Sequence, residues 1–532
     1  MRATTLRTAA ACFSFVLLAL LSRPTAAQDL AALRRDVAAA GGRVIVGLKP
    51  ADAPRGMTSP GVRALSRVQV QAIAERLAGV GLRTSRTYET ITAVAGVVSG
   101  EALSRLLQDP NVEYVVPDRI HTLQLAGGPV AASMPMVEQT PWGISRINAP
   151  AAWTATVPAN YGAGVKVGIL DTGGDFDHED LAYAGGFDAV LGSTAPADWD
   201  DNLPACAGHG THVAGTVAAV RDNGLGVVGV APGASVYAIQ IFVEYPDPLT
   251  GFPQCGAFTS DIIAGVQWAA ANGMQVVNMS YGGLGFDPAE HAAYQAAAAA
   301  GVHLVAAAGN SGLPASGFTP AAYPEVIAVS ATDVNDNWAP FSNSGPEVFV
   351  AAPGVGVVST LPGNTYAAYD GTSMASPHVT GLVALLLAIN PTLSDASLRG
   401  LLGAGASDLG AAGRDDLFGE GRIDALASVG LATQQATSAT HLALVQQPGN
   451  GTSGQPLLPA PTVELRDGQE QPVLQAGVVV TATVSSGPGR VTGLGRRLKK
   501  PGTGADSKRL PVEPATTAVV TNASGRAGFS SL

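Results

Sequence analysis

Between Trp142 and about Leu431, short apolar runs alternate with helix-like stretches, and this order leaves few possible folds. Helix-like stretches at 260–271 and 288–300 separate apolar runs of strand length at 165–170, 235–242, 275–279, 302–307 and 326–329. Apolar strands separated by helices predict an α/β fold, with a parallel sheet covered by helices on both faces. In such sheets, the residues that do chemistry follow the carboxyl ends of the strands.

Two segments of different character flank this stretch. Residues 43–118 combine strand-like runs with an amphipathic run from Val62 to Leu77, which indicates a small α+β unit, and 119–138 resembles a linker. After Ala432 the helical pattern ends. A β-sandwich over 440–532, expected to be incomplete, is indicated by strand candidates at 442–445, 462–466, 478–484 and 517–521. A basic stretch within it, 496–509, is interpreted as a solvated loop.

The first 27 residues have the pattern of a secretory signal. Arg2 and Arg7 precede a short apolar run, and small residues at 25–27 offer a cleavage site. A membrane anchor is the alternative, but the run falls short of the ~20 apolar residues that a span needs. We therefore expect a secreted, extracellular protein without a membrane span.

Charge and cysteine content narrow the possible partners and compartment. The net charge of -11 argues against nucleic acid as a partner. Once the signal is removed, the cysteines that remain are Cys206 and Cys255. In an oxidising compartment they favour a disulfide, with two buried free thiols as the alternative.

Three glycine-rich segments carry candidate catalytic groups. Asp171 follows a buried strand in 167–173, His209 lies among small residues in 208–216, and Ser373 precedes a long apolar helix in 371–379. A serine hydroxyl is a weak nucleophile, so a neutral imidazole must accept its proton, and a buried carboxylate must orient that imidazole. Free N–H groups at the start of a helix can face a developing oxyanion.

Each segment has another interpretation when taken alone. Asp-Thr-Gly also occurs in aspartic peptidases, which need a second copy. The pair His209 and His212 lacks the glutamate of a zinc signature. A serine at a helix start is most often a cap, and no Gly-x-Ser-x-Gly of a lipase or esterase surrounds Ser373. The order Asp, His, Ser in one α/β domain favours a serine peptidase.

These segments resemble the subtilisin family of serine peptidases, over residues from about Gln139 to Leu431. Further stretches agree with the family, at 280–283, 307–310, 341–346, 352–354 and 418–424. The resemblance implies a catalytic triad of Asp171, His209 and Ser373. It also implies that the Asn310 side chain and the Ser373 backbone N–H form the oxyanion hole.

The resemblance also predicts how a substrate binds. The walls of the substrate pocket would be Ser280, Tyr281, Gly282, Gly283, Ala307, Ala308 and Gly309. Small, uncharged walls suit extended peptides and an apolar or aromatic side chain before the cleaved bond. The pocket floor falls near Gly317 or Phe318, and a Phe there would shorten the pocket. The cysteine positions match those bonded in aqualysin-like relatives, which favours a Cys206–Cys255 disulfide.

The remaining implications concern ions, domains and partners. A structural Ca²⁺ would be held by Gln139, Asp180 and Asn223. Residues 28–137 would form a self-cleaved propeptide, with a peptidase domain over 138–432 and a bacterial Ig-like domain over 440–532. The partners would be protein and peptide substrates and the protein's own propeptide as inhibitor, and the enzyme would be a monomer of broad specificity. The alternative function is a non-catalytic surface or adhesion protein that retains the fold.

Overall fold

The computed structural model describes residues 30–49, 67–123, 126, 130–131, 137–156, 159–247, 250–437, 441–446, 462–466, 479–483, 516–520 and 526–528. The predicted signal segment and the basic stretch at 496–509 lie outside the described residues.

The N-terminal residues form a small α+β domain, as the sequence predicted. Its elements are α1 (Leu30–Ala39), β1 (Arg43–Leu48), α2 (Arg67–Val80), β2 (Leu82–Thr87), β3 (Ala93–Val98), α3 (Gly100–Leu106) and β4 (Val112–Pro117). The strands form an antiparallel sheet in the order β2-β3-β1-β4. The sequence interpretation missed α1 and β2. In β2 the side chains after Leu82 are exposed or half-buried, so the strand lacks an apolar run.

The central residues fold around a seven-stranded sheet. Two short strands come first, β5 (Ile120–Thr122) and β6 (Val130–Ala131), in the segment predicted to be a linker. The next elements are α4 (Trp142–Arg146), α5 (Ala149–Trp153), β7 (Lys166–Asp171), β8 (Tyr183–Asp188), α6 (His209–Ala218), β9 (Ser235–Gln240), β10 (Phe242–Pro246), β11 (Pro253–Phe258), α7 (Thr259–Ala271), β12 (Val276–Met279), β13 (Gly283–Leu284) and α8 (Pro288–Ala299).

The domain continues with β14 (His303–Ala307), β15 (Phe318–Thr319), β16 (Val326–Thr332), β17 (Val348–Pro353), β18 (Val357–Leu361), β19 (Thr365–Tyr369), α9 (Thr372–Ile389), α10 (Asp395–Gly405) and α11 (Ala425–Thr437). Single 3-10 turns lie at Pro196–Asp198, Pro204–Cys206 and Ala315–Gly317.

The large sheet is parallel throughout, in the order β17-β16-β14-β12-β7-β9-β8. Its central strands are apolar because both faces are covered: one apolar core contains residues of α6 and α9, and a second contains residues of α7 and α8. The predicted α/β fold class is confirmed. All five predicted strands are present, whereas β8 and β17 were not predicted.

The register of the parallel strands brings distant segments to one edge of the sheet. Leu170 lies beside Met279, and Met279 lies beside Ala306. The next residues in the sequence are Asp171, Ser280 and Ala307. They therefore lie side by side at the carboxyl ends of the strands.

Helix α9 runs through the middle of the domain. Among the described residues it is the helix that is long and apolar enough to cross a membrane, but 89% of it is buried inside the protein. Its residues 372–387 contact the sheet and α6 in one apolar core. These features are those of the core helix of a folded domain.

The N-terminal domain packs against the start of α7. Asp118 at the end of β4 accepts hydrogen bonds from the Ser260 backbone N–H (2.8 Å) and hydroxyl (2.9 Å). Arg43 pairs with Asp118 at 2.8 Å, and Arg86 pairs with Asp261 at 2.9 Å. A carboxylate at a helix N-terminus satisfies N–H groups that have no partner within the helix. The N-terminal domain thus supplies the cap of a helix in the central domain.

Five short strands follow the central domain. These are β20 (His441–Gln446), β21 (Thr462–Arg466), β22 (Val479–Thr483), β23 (Thr516–Val520) and β24 (Arg526–Gly528). They pair as β20-β21-β24 and β22-β23, antiparallel in both groups. The four predicted strands are present, and the assignment to an Ig-like domain stays a prediction.

A disulfide joins Cys206 to Cys255, as the resemblance favoured. Cys206 lies three residues before His209, and Cys255 lies on β11. The bond therefore ties the loop that precedes the candidate histidine to a strand of the separate β10-β11-β5 sheet.

Replacing both cysteines by serine should lower the free energy of unfolding by about 2–4 kcal/mol, because the bond closes a loop of 49 residues. Thermal unfolding under non-reducing conditions measures the effect. Ala205→Ser, beside Cys206, is the matched control and should unfold like the native protein. An unchanged unfolding temperature in the double variant would contradict the prediction.

Candidate active site

A buried hydrogen bond joins the first two candidate catalytic residues. His209 Nδ1 lies 2.7 Å from Asp171 Oδ1, and both side chains are fully buried. The Thr172 backbone N–H also donates to Asp171 Oδ1, at 2.8 Å. This geometry fixes the ring so that Nδ1 faces the carboxylate and Nε2 faces away from it.

Small residues allow α6 to begin at His209 against the turn after β7. Gly208 has a φ of 67°, and a Cβ on it would lie 2.3 Å from Pro362 Cδ. A Cβ on Gly210 would lie 2.2 Å from the Gly173 carbonyl oxygen. The glycines on both sides of His209 therefore permit the close packing that brings its ring to Asp171.

Ser373 is the second residue of α9 and is 3% exposed. Its hydroxyl donates to the Ser280 carbonyl oxygen at 3.1 Å, while His209 Nε2 is buried without a hydrogen-bond partner among the described residues. The structure thus does not place the hydroxyl on the imidazole. Such contacts are often loose until a substrate is positioned.

A proline links the nucleophile to the substrate groove. Pro377 has no N–H, so the Ser373 carbonyl cannot receive the usual helical hydrogen bond from four residues later. The Ser280 hydroxyl donates to that carbonyl instead, at 2.8 Å. The backbone of the nucleophile is thereby held directly by the first residue after β12.

Asn278 organises the same region, and the sequence analysis did not identify it. Its side-chain N–H group donates to the Ser280 hydroxyl (2.8 Å), and its oxygen accepts from Ser376 (2.8 Å) and Thr380 (3.0 Å). The side chain is fully buried. A polar residue inside an apolar strand was the signal that could have identified it, because a buried amide needs partners.

Asn310 lies next to the nucleophile with a defined orientation. Its Oδ1 accepts from the Thr372 backbone N–H (2.8 Å) and hydroxyl (2.7 Å), so the opposite side of the amide is Nδ2. A Cβ on Gly371 would lie 3.2 Å from Asn310 Nδ2 and 3.5 Å from the Ser373 backbone nitrogen. Two N–H donors therefore border one small space beside Ser373.

Asp201, which was not predicted as a site residue, holds together the two segments that carry Asp171 and His209. One oxygen accepts from the Thr172 hydroxyl (2.9 Å), and the other accepts from the Thr211 backbone N–H (2.9 Å) and hydroxyl (2.7 Å). It joins the turn after Asp171 to the first turn of α6. Burial raises the pKa of Asp201 to about 6.

Two other histidines in these motifs are structural. His212 is fully buried, and its Nε2 donates to the Val357 and Ala367 carbonyls at 3.0 and 3.1 Å. His378 Nδ1 donates to the Met374 carbonyl at 2.8 Å. Burial lowers the pKa of His212 to about 3 and that of His378 to about 4, so both rings stay neutral.

A segment of the N-terminal region occupies the groove beside Ser373. β5 pairs antiparallel with β11, with Thr122 opposite Gly256, and Thr122 also pairs with Gly282 on the other side. Further along, the Ala126 N–H donates to the Asp370 carbonyl at 3.2 Å, three residues before Ser373. This segment thus contacts two stretches near the candidate nucleophile, one that follows Ser280 and one that precedes Gly371.

The predicted pocket walls are both present, with Phe318 between them. A Cβ on Gly282 would lie 2.2 Å from Phe318 Cε1, and a Cβ on Gly309 would lie 2.9 Å from the same atom. Phe318 is 3% exposed. Ala307 and Ala308 are buried behind Gly309, while the Tyr281 side chain turns away and its hydroxyl meets that of Tyr294 at 3.2 Å. The ring of Phe318 fills the floor position and leaves a short pocket.

The three predicted calcium ligands meet in one loop, but their arrangement does not fit an ion. Asp180 accepts hydrogen bonds from the Asn223 amide (2.7 Å), the Val227 N–H (2.8 Å) and the Tyr366 hydroxyl (3.2 Å). Gln139 binds the loop through its backbone, which donates to the Gly226 carbonyl. Ca²⁺ takes six to eight oxygen ligands. Here both oxygens of the Asp180 carboxylate already accept hydrogen bonds from N–H and O–H donors.

Comparison with known proteins agrees with this geometry. The sequence model of the Subtilase family matches residues 162–421. Subtilisin E of Bacillus subtilis (strain 168) is 39% identical over 351 residues, which is 65% of this chain and 83% of subtilisin E. M-protease of Shouchella clausii (strain KSM-K16) is 40% identical over 341 residues, 64% of this chain and 80% of that protein.

Subtilisin DY of Bacillus licheniformis is 46% identical over 277 residues, 51% of this chain and 93% of that protein. Identities near 40% over most of a relative's length are well above the level at which only the fold is shared. Together with the arrangement of Asp171, His209 and Ser373 in one α/β domain, they establish that this chain belongs to the subtilase family and is a serine endopeptidase.

Proposed function

We propose that the protein is a self-processing peptidase whose triad is Asp171, His209 and Ser373. Its cleavable inhibitor would run from residue 28 to a bond between Leu123 and Ala126, which is shorter than the 28–137 predicted from the sequence. The observation that carries this proposal is the insertion of β5 into the groove beside Ser373. A segment held as an added strand has the conformation in which a peptide substrate is cleaved.

The chemistry follows from the geometry of the triad. Ser373 Oγ attacks the substrate carbonyl carbon while His209 Nε2 accepts the hydroxyl proton, and Asp171 stabilises the charged imidazole through Nδ1. The hydroxyl first turns from the Ser280 carbonyl toward Nε2 by rotation about its Cα–Cβ bond. His209 then returns the proton to the leaving amine as the C–N bond breaks. Water hydrolyses the acyl-enzyme by the same steps in reverse.

The oxyanion of the intermediate is assigned to two donors, Asn310 Nδ2 and the Ser373 backbone N–H. Both border the space beside Gly371. The two Thr372 hydrogen bonds to Oδ1 hold the amide in place before the reaction. Donors fixed in advance cost no reorganisation when the charge develops.

Self-processing is assigned to the four residues from Leu123 to Ala126. Pairing at Thr122 and the contact of Ala126 with Asp370 bracket them. The alignment with subtilisin E covers 351 residues, which is more than the peptidase domain predicted at 138–432. The similarity to subtilisin E therefore extends beyond that domain. After cleavage, contacts at Asp118 and Arg86 would keep the N-terminal domain on α7 as an inhibitor.

The remaining parts of the proposal rest on the sequence. The N-terminal pattern supports export to the extracellular space, and we expect the processed enzyme to be a monomer. Structural calcium at Gln139, Asp180 and Asn223 lies outside the proposal, because both oxygens of Asp180 already accept hydrogen bonds from the protein.

The decisive experiment is labelling of the purified full chain with a fluorophosphonate, followed by mass spectrometry. We expect the label on Ser373 and a new N-terminus between Leu123 and Ala126. His209→Ala should remain unprocessed and unlabelled, because the serine then has no base.

Ser397→Ala, a change at an exposed serine on α10, is the control and should be processed and labelled normally. A folded native chain that takes no label would overturn the proposal and favour the non-catalytic alternative.

Asn310→Ala should lower kcat by roughly 10²–10³ and leave KM nearly unchanged, since the lost hydrogen bond forms only in the transition state; the magnitude is the one measured in subtilisin. Thr372→Val, which removes one of the two hydrogen bonds that orient Asn310, should give a smaller loss. Steady-state kinetics on a peptide anilide measure both. A less than tenfold loss for Asn310→Ala would be inconsistent with the assigned role.

The short pocket predicts a preference for small residues before the cleaved bond. The sequence predicted an apolar or aromatic side chain at this position, and we now expect small apolar ones. Phe318→Gly should raise kcat/KM for a phenylalanyl peptide anilide at least ~10-fold relative to the alanyl one, since the floor is then open. Comparing the two substrates in native and variant enzyme measures the change. A native enzyme that already prefers the phenylalanyl substrate would refute this.

A further inference from the structure

Beside the groove, a side chain of the N-terminal segment is buried against a carboxyl group. In β5 the side chains alternate: Ile120 and Thr122 are exposed, whereas His121 points inward and is 4% exposed. The His121 ring contacts the Tyr281 ring edge-to-face, with centroids 6.2 Å apart. Its Nε2 lies 3.6 Å from Glu290 Oε2. We call this space the Glu290 pocket.

Glu290 is held rigidly at the base of this pocket. It is fully buried at the third position of α8. Its Oε1 accepts from the Tyr294 hydroxyl at 3.1 Å, and its Oε2 accepts from the Tyr323 hydroxyl at 3.2 Å. The carboxyl group therefore cannot swing out to solvent without breaking two hydrogen bonds. It faces whatever side chain enters the groove at this position.

A glycine lies next to the imidazole of His121. A Cβ on Gly283 would lie 3.1 Å from His121 Nδ1, so a larger residue there would press on the imidazole. On the other side the backbone of His121 is paired with Ala257 of β11. Gly283, predicted as a wall of the first pocket, thus borders the second one.

An apolar side chain at this position would face the carboxyl group with a carbon atom in place of the imidazole nitrogen that lies 3.6 Å from it. A buried polar group that loses a polar neighbour is destabilised, and a charged group more so. Burial raises the pKa of Glu290 to about 7 and lowers that of His121 to about 4. A neutral imidazole N–H facing a carboxyl group is therefore the form that fits near neutral pH. Two other charges act here: Asp287, just before α8, raises the pKa of His121, whereas Arg119 lowers the pKa of both His121 and Glu290.

We propose that the Glu290 pocket is a specificity site that selects protein and peptide substrates with histidine at the position that His121 occupies in the propeptide. This inference rests on the proposed function, because it takes β5 as a substrate-like segment. The enzyme then recognises the side chain of His121 in its own propeptide and selects other substrates by the same polar contact with Glu290.

The test uses processed enzyme and quenched fluorescent peptides with the sequence of residues 119–126. The residue at the position of His121 is His, Phe, Leu or Ala, and the assay is run at pH 8, where free histidine is neutral. We expect kcat/KM for the His peptide to exceed that for the Phe peptide at least ~10-fold. In Glu290→Leu this advantage should vanish or reverse.

Two further variants keep the result interpretable. Glu290→Gln retains the size of the side chain and one acceptor oxygen, so its ratio of kcat/KM for the His peptide to that for the Phe peptide should be intermediate. This variant tests the proposal if Glu290→Leu does not fold. Glu325→Gln removes a carboxylate that pairs with His291 on the outer side of α8, at 3.0 Å, and should keep the native ratio.

Fluorophosphonate labelling separates failure of this proposal from failure of the proposed function. An enzyme that is labelled at Ser373 but cleaves the His and Phe peptides equally well overturns the Glu290 pocket and leaves the peptidase assignment intact. An unchanged ratio in Glu290→Leu does the same. A native protein that is neither labelled nor active on any of the peptides overturns both.

Discussion

The buried hydrogen bond between Asp171 and His209 is the interaction on which the rest of the site depends. It joins the end of β7 to the first residue of α6, two elements that the parallel sheet brings to one edge. A buried carboxylate is costly unless its oxygens are paired. Thr172 and Asp201 supply the surrounding hydrogen bonds, so the turn, the helix start and the triad form one connected unit.

Much of this arrangement could be predicted from the sequence, because its signals are local. The apolar runs gave the central strands, and the three glycine-rich segments gave Asp171, His209 and Ser373. The residues that were missed depend on partners far away in the chain. β5 forms only because β11 offers an edge, and Ile-His-Thr has no pattern of its own. Likewise, nothing near Glu290 in the sequence distinguishes a buried carboxyl group from the solvated glutamate expected on an alanine-rich helix.

The substrate groove combines two kinds of recognition with different physical bases. Main-chain pairing at Gly256 and Gly282 does not depend on the sequence of the substrate, whereas Phe318 and Glu290 contact individual substrate side chains. Phe318 acts by occupying volume, which excludes large groups. Glu290 acts through the polarity of a buried carboxyl group, which disfavours side chains without a donor. Size and hydrogen bonding are thus selected at separate positions along one extended segment.

Binding by strand addition also limits which bonds of a folded protein can be reached. The segment that enters the groove must offer its own backbone N–H and C=O groups to β11 and Gly282 on both sides at once. In a native helix or sheet those groups are already paired within the client protein. A stretch of several residues must therefore detach locally before it can enter, and the free energy of that opening adds to the barrier for cleavage. For folded clients, local instability in the client becomes a determinant of cleavage alongside its sequence.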